Sequence, residues 1–174
     1  MNDEKKRKYA DALEELLKTR SYDKISVNDI CNKVGAYRPN FYYHFNNKDD
    51  LINWIFMQDY DTREYMDRGE VYRHTVFLSR LQKHASFYIK TIGGNTNCEY
   101  YLFIKSKFKE YVCELYSTDQ DELDDIRRFK LEYLASSYVM TVFEWLGGKI
   151  RMPAEQFAVF LFDNIKSIHY KSAG

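Results

Sequence analysis

Between Ile25 and Leu51 the chain reads I-S-V-N-D-I-C-N-K-V-G-A-Y-R-P-N-F-Y-Y-H-F-N-N-K-D-D-L. The residue types here suit recognition rather than bond making. Arg38 carries a fork of donors that matches guanine, and Asn40 can pair in bidentate fashion with adenine. Tyr42, Tyr43 and His44 can donate to phosphate oxygens. Lys48 falls in the first turn of a helix, where a cation opposes the macrodipole at a cost of about 0.3 kcal/mol or more. That placement makes sense if Lys48 and the free N–H groups hold a DNA phosphate. The run Lys5-Lys6-Arg7-Lys8 repeats the arrangement at the start of the first helix, where a merely solvated helix start is the competing reading.

These side chains need short, well-stopped elements to present them. Ser26-Val27-Asn28-Asp29 is a capping box that opens a helix with Val27, Ile30, Cys31 and Val34 on its apolar face. Gly35 stops that helix. A third helix starts near Arg38, with Pro39 suited to its first turn. Phe41 and Phe45 point inward, leaving Tyr37, Arg38 and Asn40 outward. Asn47 caps a fourth helix bearing Leu51, Ile52, Trp54 and Ile55, drawn as far as Met66. A first helix over 3–19, capped by Asn2 or Asp3, carries Tyr9, Leu13, Leu16 and Leu17 on one face. Two short helices joined by a tight turn at 34–37 give helix-turn-helix geometry, with the second placed to enter a major groove.

The remainder of the 174 residues reads as further helices. Only 7 Gly and 2 Pro are present, too few to punctuate many short strands, so the fold class is all-α. Helices are predicted at about 71–92, 97–116 and 121–146 and from Pro153 onward, with breaks at Gly69, Gly93-Gly94-Asn95 and Gly147-Gly148. The second half of 121–146 and the run Phe157–Phe162 are apolar nearly all round. A second copy of the chain is the expected cover, through the helices at about 121–146 and 153–169. The aromatic excess between 88 and 145 (Tyr88, Tyr101, Phe108, Tyr111, Trp145) either lines a ligand pocket or is plain core.

Several function classes are disfavoured. Lys+Arg and Asp+Glu are both 26, so no global basic field drives nucleic-acid or membrane binding. No apolar run approaches the ~18 residues of a membrane helix, and the N-terminus has no apolar signal core; a soluble, cytoplasmic protein is expected. Cys31, Cys98 and Cys113 make no disulfide framework. His74, His84, Cys98, Cys113 and His169 match no metal-ligand spacing, with His84 expected instead as a hydrogen-bonded border residue. No phosphate loop or nucleophile motif is present, so neither catalysis nor a cofactor is expected.

The segment 25–51 resembles the DNA-binding domain of the TetR family of bacterial transcription regulators, whose pattern places Ile30, Gly35, Phe41, Tyr42, His44, Phe45, Lys48 and Leu51 in register. Val34, Ala36, Tyr37 and Cys31 depart from that pattern. The resemblance implies groove contacts from Asn28, Tyr37, Arg38 and Asn40. It implies backbone contacts from Ser26, Val27 (through its main-chain N–H), Tyr42, His44 and Lys48. It further implies a homodimer on double-stranded DNA, with a three-helix DNA-binding domain over 1–47 and a helical ligand and dimerisation domain over 48–174. A ligand-responsive repressor is the function expected from the family. Tyr133–Leu161, with E-W-L-G-G-K-I-R-M-P-A-E, is similar to the short C-terminal domains of a Gram-positive subgroup, some of which activate or co-regulate. Residues 1–54 carry 10 Lys/Arg against 9 Asp/Glu, which leaves open a co-regulator of the same fold working mainly through protein–protein contacts.

Overall fold

The computed structural model describes residues 2–92 and 98–169, and all regular structure among them is helical. The elements are α1 (Asn2–Leu17), α2 (Val27–Val34), α3 (Arg38–Tyr42), α4 (Lys48–Tyr60), α5 (Glu70–Lys83), α6 (Ala85–Ile92), α7 (Glu99–Leu115), α8 (Asp125–Leu146) and α9 (Ala154–His169). Single 3-10 turns cover Tyr22–Lys24 and Arg63–Arg68. The expected break at Gly93-Gly94-Asn95 and the expected helix start at 97 lie outside the described residues.

Local chemistry sets the ends of the first four helices. The Asp29 amide donates to Ser26 Oγ at 3.2 Å, and the Ser26 amide donates to Asp29 Oδ2 at 2.8 Å, a reciprocal cap for α2. Arg20 adds a donor to Asp29 Oδ1 at 2.9 Å. Hydrogen bonds from Arg20 and Ser26 hold the Asp29 carboxyl well below the usual carboxylate range. Gly35 ends α2 in the left-handed region at φ +72°, where an L side chain is strained. Pro39 occupies the first turn of α3, and Asn47 Oδ1 accepts the Asp50 amide at 2.7 Å to open α4.

Four boundaries differ from expectation. Helix α4 ends at Tyr60 rather than Met66, because Asp61 Oδ1 accepts both the amide and Nε of Arg63, at 3.1 and 2.8 Å, and turns the chain. The predicted helix at 71–92 is two helices. His84 leaves helical geometry at φ −107°, ψ 20°, while its Nδ1 lies 3.0 Å from Asp59 Oδ2. Helix α8 starts at Asp125, not 121, because Asp124 Oδ1 takes the Arg127 amide at 2.8 Å. Helix α1 stops at Leu17, two residues early.

Helices α1 to α3 pack around Tyr9, Leu13, Ile30, Phe41 and Phe45, all buried. Helix α4 serves two masters. It packs on α1 at one side and on α5 and α7 at the other. Helix α5 lies along α9, and α7 along α8. One face of α8 (Leu131, Ala135, Tyr138, Val142, Trp145) is core. Its other face bares Ile126, Phe129 and Tyr133, each about 70% exposed. His74 on α5 is buried and hydrogen-bonded to the Tyr138 hydroxyl of α8. Burial, with the Arg73 guanidinium second, pushes its pKa down to about 4.

Two stability predictions follow from these positions. A Cβ on Gly35 meets nothing within 4 Å, so Gly35→Ala costs only backbone strain, roughly 1 kcal/mol, read as a lower urea midpoint at unchanged slope. His74 has a folded value near 4 against an unfolded value of about 6.5, so the unfolded state binds more protons between them. Its contribution is full above about pH 6.5 and falls by about 3 kcal/mol as pH drops to about 4. His74→Gln removes that part of the acid sensitivity, measured as the difference between the two proteins' melting temperatures at pH 7 and pH 4.5.

Candidate nucleic-acid interface

Helix α3 is five residues long and cannot hold itself. Its underside does that. Phe41 meets Tyr9 edge-on at 5.4 Å between ring centroids, and Phe45 lies 5.5 Å from Phe41. Burying Phe41 alone stabilises the unit by about 2 kcal/mol. Because Phe41 and Phe45 take the inner face, Asn40 and Tyr43 on the opposite side face water. Tyr37 and Tyr43 are more than 80% exposed, and Arg38, Asn40 and Tyr42 are exposed as well. Asn28 on α2 is exposed on the neighbouring helix, and Val27 is half-buried.

The polar residues differ in how free they are. Asn40 and Tyr43 project with no side-chain hydrogen bond among the described residues. The Arg38 guanidinium donates to the Tyr42 hydroxyl at 2.9 Å and lies 5.6 Å from that ring's centre. Ser26 Oγ is engaged by its own cap. His44 is half-buried, with Nδ1 enclosed and unpartnered. Burial first, then Lys5 and Lys6, lowers its pKa, which favours the neutral ring.

Lys48 has a role that the sequence did not announce. Its ammonium donates to the carbonyls of Tyr22 and Ile25 at 2.8 and 2.7 Å and sits 3.9 Å from the Tyr22 ring centre. The Tyr22 hydroxyl in turn donates to Asp49 Oδ1 at 2.6 Å. The start of α4 is thereby tied to the turn that precedes α2, and one of the three ammonium N–H groups is left over. The basic run of α1 is also partly engaged. Lys6 lies over Phe45 and Trp54, and Arg7 over Trp54 at 5.2 Å.

Aromatic residues further along the chain do not gather as expected. A cavity of about 500 Å³ opens between α4, α5, α7 and α8, and of the five expected residues it takes Phe108 and Tyr111 only. Tyr88 is buried, and its hydroxyl donates to Asp59 Oδ2 at 2.6 Å. Tyr101 is core. Trp145 stacks on Phe157 at 4.9 Å and donates its Nε1–H to the Met152 carbonyl. The walls come instead from α4 (Phe56, Tyr60), α5 (Phe77, His74) and Tyr138 of α8. An apolar count alone cannot find this cavity. The acid Asp59, on the same helical stripe as Ile52, Ile55 and Phe56, is the signal that could have marked a buried polar junction beside it.

Of the residues considered as metal ligands, His74 is bonded to Tyr138 and His84 to Asp59, while Cys98 Sγ accepts the Tyr101 amide. The His169 side chain lies outside the described residues. No described helix is long and apolar enough to cross a membrane.

Comparisons with known proteins fit this geometry. The HTH-type dhaKLM operon transcriptional activator DhaS of Lactococcus lactis subsp. lactis (strain IL1403) is 30% identical over 101 residues, 55% of this chain and 53% of that protein. The match thus spans about half the length of that relative. Among solved structures, the dihydroxyacetone kinase operon activator DhaS superposes with a TM-score of 0.61 at 20% identity, over 93% of this chain and 94% of that one, which shows a shared fold. Residues 10–55, which include Phe41, Phe45 and the exposed residues of α3, match the family model for bacterial regulatory proteins of the tetR family. The likeness to that family is thus carried by this one segment.

Proposed function

We propose that the protein is a sequence-specific transcription regulator that binds a near-palindromic operator as a homodimer and answers to an effector. Residues 1–47 form the reading domain in this account, and residues 48–174 the regulatory and dimerising one. The observation that carries the reading is the exposed ridge of Tyr37, Arg38, Asn40 and Tyr43 on a helix whose underside is locked by Phe41 and Phe45. Arg38, Asn40 and Asn28 read base edges. Tyr37 packs in the groove, and Tyr42, Tyr43, His44, Ser26 and the Val27 amide meet the phosphates. Lys48 contributes its remaining N–H to a phosphate while its other two fix the α2–α4 geometry.

Dimerisation supplies the second reading head. The bare stripe Ile126, Phe129, Tyr133 and Met140 on α8, with Val159 and Phe160 on α9, is an apolar surface that a two-fold partner covers with the same residues. Half-sites then lie about 34 Å, or a multiple of that, apart. For the sign of regulation we propose activation. The relative aligned over 101 residues is named a transcriptional activator, whereas repression rests on the family resemblance alone.

Selection of bound duplexes from a random pool tests the reading; an inverted repeat supports it, and the absence of any salt-dependent enrichment defeats it. Within the selected site, Arg38→Ala relaxes preference at one base pair by about 1–3 kcal/mol and leaves the others in place. Phe129→Glu combined with Phe160→Glu yields a monomer in sedimentation at micromolar concentration; a persistent dimer would place the interface elsewhere.

A further inference from the structure

The cavity between α4, α5, α7 and α8 has a lining with a definite chemical bias. Its volume of about 500 Å³ is within the usual range for a small organic ligand. Six Phe and Tyr side chains line it: Phe56, Tyr60, Phe77, Phe108, Tyr111 and Tyr138. The faces of such rings are regions of negative potential.

The charges around the cavity do not offset that potential. Arg73 is bound to Glu70 Oε1 through NH1 at 2.7 Å, and its Nε faces Thr62 Oγ1 at 3.4 Å. Arg63 is bound to Asp61 through Nε and turns outward to solvent. His74 is held neutral by burial. Glu114, at the rim, has no ion pair among the described residues. Each guanidinium is therefore paired with a carboxylate, and one further carboxylate, Glu114, is in excess. Glu70 accepts from Arg73 and from the Tyr111 hydroxyl at 3.1 Å, and a carboxylate has room for further donors. The Tyr60 hydroxyl registers the same field. Burial first, then Glu114 and Glu110, raises its pKa to about 12, with Arg73 opposing and Glu70 adding a smaller push upward.

We infer that this cavity binds a compact aromatic or alkyl organic cation, held by the ring faces of Tyr60, Phe108 and Tyr111 and by the carboxylates of Glu70 and Glu114. An anion entering the same space finds each guanidinium already paired with a carboxylate and meets Glu114 as the charge in excess, so its desolvation is poorly compensated. The inference deepens the regulator reading, on which it rests only in calling this ligand an effector. Occupancy would bear on α4, because Phe56, Met57 and Tyr60 of that helix form one wall.

Two fluorescent probes that share a three-ring frame and differ in charge test the inference: N-methylacridinium and 9-anthracenecarboxylate, titrated against the full chain without duplex. The cation is expected to bind at least about tenfold tighter than the anion. Glu70→Gln leaves Arg73 without its carboxylate and is expected to erase or reverse that preference. Glu114→Gln, at an exposed position that leaves packing intact, lowers cation affinity by about threefold, on the scale of a rim charge. It decides the matter if Glu70→Gln does not fold, as judged by its melting temperature. Tyr111→Leu keeps an apolar side chain, loses the ring, and weakens the cation by about threefold or more. Equal or tighter binding of the anion to the unaltered chain, no binding of either probe, or unchanged discrimination in both carboxylate variants would overturn the inference. Duplex selection is scored separately, so a failed operator search with intact cation binding rejects the regulator reading and leaves the site.

Discussion

The aromatic wedge of Phe41 and Phe45 on Tyr9 is the contact on which the rest depends. A helix of five residues has no stability of its own, and α3 exists because two rings on its underside are buried while α1 and α2 are held in place around them. The wedge fixes rotation as well as position. With Phe41 and Phe45 inward, helical spacing turns Asn40 and Tyr43 outward, while Arg38 reaches solvent from the first position of α3. Loss of the wedge would not merely weaken the domain; it would let the reading residues turn.

Helix α4 carries the consequences to the other half of the molecule. At its first residue, Lys48 is fastened to two carbonyls near α2. Three turns later Asp59 receives the Tyr88 hydroxyl and approaches the His84 ring at the break between α5 and α6. Lys90 of α6 reaches back to the Leu17 carbonyl at the end of α1 at 2.6 Å. Between these ties, Phe56 and Tyr60 of α4 line the cavity. One helix thus touches the α1–α3 unit, the α5–α6 break and the cavity, and it is the element through which the proposed effector would act on the proposed DNA contact. That is the physical basis on which an effector could alter operator affinity.

How much of this was legible in the sequence varies with the range of the interactions. The ends of α2 and the starts of α3 and α4 were legible almost to the residue, because they come from local chemistry: the Ser26–Asp29 box, the left-handed Gly35, Pro39 and the Asn47 cap all act within four residues. What was not legible is long-range. The break at His84 answers to Asp59, 25 positions away, and Lys48 answers to carbonyls 23 and 26 positions away. The cavity was misplaced for the same reason. Tyr88 and Trp145 look like lining residues by type, yet long-range contacts take them elsewhere, Tyr88 to Asp59 and Trp145 to Phe157, and α4 supplies rings in their stead.

The central claim is that the exposed side of α3 meets nucleic acid. Photo-crosslinking tests it most directly, with a benzophenone amino acid placed singly at Tyr37, Tyr43 and, as a reference, the exposed Leu102 of α7. The account requires covalent adducts to duplex DNA from positions 37 and 43 that vanish at high salt, and none from position 102. Adducts from 102 as readily as from 43, or none from either α3 position, would contradict it.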